Sequence, residues 1–190
     1  MPVREALYIL SGEGLVELRA NRGAMVKDVS LEYIREHFEL RLILECEAIA
    51  RACEHIRDTS ELEFIHALQK EAIDAMDMEE TIICNQTFHL YIWKHANNAK
   101  MESMLEYFWN GLSIGSVVLP GVNVKKSYDE HDQMIQAIKE KKPETARQVM
   151  KKHIQRSMEN MLLRNPDKKK KRVRKIILGF SNKLGYKAIL

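Results

Sequence analysis

From Ile34 to Ile56 the apolar residues Ile34, Phe38, Leu42, Cys46, Ile49, Cys53 and Ile56 recur every three or four positions. That spacing is the stripe of an amphipathic helix and fits no strand, whose faces alternate every two residues. Ser30 is placed to cap it, so the helix is expected over about Leu31 to Ile56, roughly 39 Å long. Such a rod buries its stripe only against other helices, as the spine of a bundle. Ser60 with Glu63 has the form of a capping box opening a second helix to about Met76, with Leu62, Ile65, Leu68 and Ala72 inward. A third runs from about Glu79 to Ala96 and stops at Asn97-Asn98. A fourth starts near Ala99, carries Met101, Met104, Leu105, Phe108 and Leu112, and loses its pattern through Gly111 and Gly115 before Pro120-Gly121. A fifth spans about Val124 to Lys141, and Pro143 suits the first position of a sixth that reaches about Leu163. With only 8 Gly and 4 Pro, turn signals are too sparse for a sandwich of short strands, so the class is mostly α.

The two ends read differently. Pro2 to Leu10 is a short helix stopped by Gly12 and Gly14, and two short strands, Leu15 to Leu18 and Gly23 to Val26, flank the polar turn Arg19 to Arg22. A helix followed by a hairpin is the second half of a winged helix. At the other end, residues 165–190 hold nine Lys or Arg against the single Asp167, so the positive balance belongs to this stretch and the remainder is net acidic. A solvated extension is the plain expectation for it, with polyanion contact as the alternative. The body therefore carries no bulk sign of a nucleic-acid surface. Cys46, Cys53 and Cys84 have no metal-ligand spacing, which points to packed thiols in a reducing, cytoplasmic compartment, and no apolar run is long enough to span a membrane.

The histidines carry the chemistry. His131 and His153 each lie eleven residues from Lys142, at the turn between the last two helices. In an antiparallel hairpin such positions share one height, roughly 16 Å from the turn, and they meet if both face inward. Asn85 and His89 are spaced i, i+4 on one face of the third helix. Converging imidazoles suit a divalent transition metal, zinc or similar, with Asn85 as a weaker fourth ligand because its amide oxygen is neutral. Otherwise each is an ordinary packed or surface histidine. His37, His55, His66 and His95 lack such a relation and are expected at the surface or at helix ends. Arg41, within the first long helix, calls for a carboxylate partner, either a neighbouring acid or an anionic ligand.

Several motifs now resemble one family, the GntR regulators of the FadR type with a helical FCD effector domain. Pro2-Val3-Arg4-Glu5-Ala6-Leu7, Glu13-Gly14-Leu15-Val16 and Asn21-Arg22-Gly23-Ala24 look like its recognition helix and wing. Phe38-Glu39-Leu40-Arg41 with Leu44-Glu45, then Phe88-His89, Asn97-Asn98, Glu130-His131 and Ala146 with His153 follow the FCD pattern in order. The resemblance implies metal binding by three histidines and an Asp, whose place Asn85 takes here. It also implies a small carboxylate effector held with help from Arg41, a homodimer, and operator contacts by Arg4, Arg22 and Gly23. The expected layout is an N-terminally truncated winged helix-turn-helix over 1–27, an antiparallel six-to-seven-helix bundle over 28–165, and a basic tail over 166–190. The function expected is a ligand-responsive, DNA-binding regulator. A truncated sensor that dimerises with full-length regulators is the alternative. A metal-dependent hydrolase would need an acid or base beside the metal that the sequence does not place.

Overall fold

The computed structural model describes residues 2–12, 16–19, 23–26, 30–109 and 124–162. Arg22, Leu112, the Pro120-Gly121 break and the basic tail lie outside them. The chain divides into two compact units, with the boundary between Tyr33 and Ile34.

In the first unit, helix α1 (Pro2–Gly12) is followed by strands β1 (Val16–Arg19) and β2 (Gly23–Val26), paired antiparallel with Val16 opposite Val26 and Arg19 opposite Gly23. Gly23 has φ +79, a conformation that side chains with a Cβ rarely adopt, which suits glycine where the hairpin re-enters β2. Val16 is buried, whereas Val3, Tyr8, Ile9, Leu18 and Met25 are exposed. Among the described residues of this hairpin and helix, Val16 is the apolar side chain that is fully covered.

The second unit is a helical bundle. Helix α2 (Leu31–His55) begins where Ser30 Oγ accepts the Tyr33 N–H at 3.0 Å, and is followed by α3 (Ser60–Asp74), α4 (Met78–His95), α5 (Ala99–Phe108), α6 (Val124–Lys139) and α7 (Pro143–Leu162). Phe38, Ile49, Leu62, Phe88, Trp93, Leu105, Met134, Ile138, Met150 and Ile154 form its core. The joints are tight. Met76, Asn97 and Lys141 take left-handed φ values of 53–55° after α3, α4 and α6, a conformation that helix ends commonly use to satisfy their last carbonyls. Asp77 then caps α4 by accepting the N–H groups of Glu79 and Glu80, and Asn98 caps α5 by accepting that of Met101. The expected Ser60–Glu63 capping box does not form. Asp58 takes both the N–H and the hydroxyl of Ser60, so Thr59 becomes the cap position and its hydroxyl goes to Glu63. Among the described residues no helix is long and apolar enough to cross a membrane.

Candidate metal centre

Asn85 and His89 lie one turn apart on α4, while α6 and α7 form the hairpin that brings His131 beside His153. The three imidazoles are buried, with ring centroids 5.1 Å apart for His131–His153, 5.3 Å for His89–His153 and 5.5 Å for His89–His131. One ligating nitrogen of each lies within 4.8 Å of the others. Asn85 is also buried and lines the same cavity as His89, His153 and Arg41.

What orients the rings is a second layer. Nδ1 of His89 faces Glu45 Oε2 at 3.2 Å, Nδ1 of His131 faces Gln69 Oε1 at 2.9 Å, and Nδ1 of His153 faces Glu130 Oε2 at 2.8 Å. An acceptor opposite Nδ1 fixes the proton there and leaves the Nε2 lone pair free. Nε2 of His89 and of His131 are buried without any hydrogen-bond partner. Two converging acceptors without donors cost free energy unless a hydrogen-bond donor or a cation occupies the space between them, and with three ring nitrogens within 4.8 Å of one another a metal ion meets that need. The residues thus fit a divalent transition metal.

The electrostatics agree. Burial, with His153 and His89 next to it, pushes His131 well below the ordinary histidine range. Burial likewise lowers His153 to about 4 despite Glu130 beside it. Both imidazoles are neutral at pH 7, the form that binds metal. Burial works to raise the Glu45 carboxyl, but His89 and Arg41 hold it at about 2. Glu130 is likewise held at about 2 by hydrogen bonds from His153 and Arg156, against burial.

Arg41 is buried and donates through Nε at 3.0 Å and Nη2 at 2.9 Å to Glu45 Oε1, with its guanidinium 4.9 Å from the Trp109 ring centroid. The neighbouring acid is therefore present, and Arg41 also reaches the cavity wall. Two expectations are corrected. His37 and His66 are buried rather than at the surface: His37 packs edge-on to Phe108, and His66 stacks on Tyr128 at 3.9 Å. His55 is exposed at the end of α2, and His95 closes α4. Glu45, Gln69, Glu130 and Arg156 are the members that the sequence reading did not assign to the site.

These shifts set an acid limit. His37, lowered to about 4 by burial and by Arg41, and His153 both sit below the ordinary 6.5. A depressed pKa means that the unfolded chain binds protons first as pH falls. The stabilisation is therefore complete above about 6.5 and disappears as pH falls toward 4. At pH 5 the loss is about 2 kcal/mol per histidine, so the urea midpoint of chelator-treated protein is expected to drop clearly between pH 7 and pH 5. An unchanged midpoint would contradict neutral burial of these rings.

The comparisons follow the same lines. The FCD domain model matches residues 36–156. The HTH-type transcriptional regulator McbR of Escherichia coli is 25% identical over 83% of this chain and 74% of its own length. The gluconate operon transcriptional repressor of Bacillus subtilis is 30% identical over 74% of this chain, which spans only 61% of that relative. Among solved structures, E. coli McbR/YncC superposes with a TM-score of 0.72 at 24% identity, over 84% of this chain and 82% of that one. These relatives are transcription regulators rather than enzymes. The chain belongs to the FCD-domain family of GntR-type transcription regulators.

Proposed function

We propose that this bundle is an effector sensor. A divalent transition metal, zinc or similar, would be held by His89, His131 and His153, with the Asn85 amide oxygen as fourth ligand. When bound, such an ion supplies a Lewis-acidic attachment point for the oxygens of a small carboxylate. The chain's own residues do the rest: Glu45, Gln69 and Glu130 hold the rings in place, Arg41 offers a cationic wall, and the buried setting excludes bulk water. The observation that carries the reading is the convergence of three ring nitrogens within 4.8 Å, with every Nδ1 anchored from behind.

The region 28–165 would then sense and dimerise, and 1–27 would reach operator DNA through Arg4, Arg22 and Gly23. A ligand that prefers one bundle geometry shifts the homodimer toward it, and the spacing of the two heads then decides the fit to half-sites. To test this, the purified chain selects fragments from randomised DNA, and gel shifts compare metal-loaded with chelator-treated protein. An enriched sequence whose affinity changes on metal removal is expected. No enriched sequence even at low salt would overturn the DNA-binding part and favour a sensor that acts by dimerising with longer regulators.

A further inference from the structure

The cavity lined by His89 and His153 has many polar residues in its wall, yet among the described residues no Asp or Glu lines it. Its wall includes the amides of Asn85 and Asn160, the hydroxyls of Ser127 and Ser157, and the guanidinium groups of Arg41 and Arg156. Neither acid behind the wall is free to offset a new charge. Glu45 is shared between Arg41 and His89, and Glu130 between Arg156 and His153, with Arg156 Nη2 also reaching Ser127 Oγ at 2.8 Å. Each arginine is thus matched by one carboxylate; amides carry no charge, and an imidazole that ligates a metal does so in its neutral form.

A divalent cation at the histidines would bring two positive charges into this neutral set. Uncompensated charge in a buried site is costly, and since the described residues of the wall supply no further negative charge, what enters the cavity must bring it. A monocarboxylate offsets half of it. We infer that the ligand this pocket accepts beside a bound divalent ion is a dianion, such as a dicarboxylate or an acid with a second ionised group. This inference rests on the metal and carboxylate reading above. The absence of an acid at position 85 is its specificity determinant.

The size of the preference is a balance of attraction and desolvation. A second negative charge about 5 Å from a divalent ion, at an effective dielectric constant near 20, gains roughly 10⁴- to 10⁵-fold from attraction alone; stripping water from the second carboxylate offsets most of that, and a net preference of at least about tenfold is expected. Asn85→Asp places a compensating charge in the wall and is expected to cut that preference to within about threefold.

The experiment is calorimetric titration of the zinc-loaded full chain with paired probes that differ by a carboxylate in place of a methyl group: malate against 3-hydroxybutyrate, succinate against butyrate, and 2-oxoglutarate against 2-oxopentanoate. Chelator-treated protein supplies the baseline. Tighter binding of the dianions by at least tenfold, with the gap closing in Asn85→Asp while that variant binds zinc more tightly, supports the inference. Equal affinities within pairs, or a gap unchanged in Asn85→Asp, overturns it and leaves the carboxylate-sensing reading standing. Failure of all six probes to bind overturns both.

Discussion

Replacing His131 with alanine is expected to lower zinc affinity by more than a hundredfold, the largest change that any single side chain of the centre should produce. His131 is fully buried between His89 and His153 and is held by Gln69 at its Nδ1, so its loss removes one of three pre-oriented ring nitrogens and leaves a void in its place. The layer behind is worth less. Glu130→Gln keeps an acceptor opposite His153 Nδ1 but removes its charge, and a ten- to hundredfold loss is the usual scale for such partners. Competition of zinc against a chromophoric chelator measures both. Affinity within threefold of the parent for His131→Ala would remove this residue from the ligand set.

The second large effect falls on stability. Glu45 is fully buried and receives Arg41 on Oε1, with His89 and Trp93 Nε1 on Oε2, the last at 2.8 Å. Glu45→Ala takes the facing carboxylate from a buried guanidinium and the acceptor from two ring N–H donors at once. A loss of roughly 3–5 kcal/mol is expected, the scale for breaking one side of a buried ion pair. The double variant Arg41→Met with Glu45→Gln removes both buried charges together and keeps an acceptor for His89 and Trp93. It should therefore unfold later in urea than Glu45→Ala alone. A Glu45→Ala midpoint equal to the parent's would show that the pair contributes nothing net.

Much of this architecture is legible in the sequence. The helix ends at Ser30, Asn97 and Pro143 follow from local backbone chemistry, and the His131–His153 meeting follows from counting along a hairpin, because a short turn forces equal heights. The second layer was harder, since a polar residue does not announce whether its helix face is buried. A signal did exist. Gln69 falls on the same face as Leu62, Ile65 and Ala72, and Glu45 stands one turn from both Arg41 and Ile49, so each interrupts an apolar stripe. A polar residue in that position needs a buried partner, and here the partner is a histidine of the centre. His37 and His66 escaped for the converse reason: their rings are covered by Phe108 and Tyr128, distant in sequence, and no local pattern foretells that.

The anchoring of the rings has a mechanical side. Glu45 comes from α2, Gln69 from α3, His89 from α4, His131 and Glu130 from α6, and His153 from α7. Five helices are thereby tied to one point by linkages of at most two side chains. Once that point is filled, peeling any of these helices away breaks a ligand or the bond behind it. Local breathing is then suppressed in favour of whole-unit opening, and amide exchange should slow together in all five. A tether of this kind would couple what happens at one point to the motion of five helices at once.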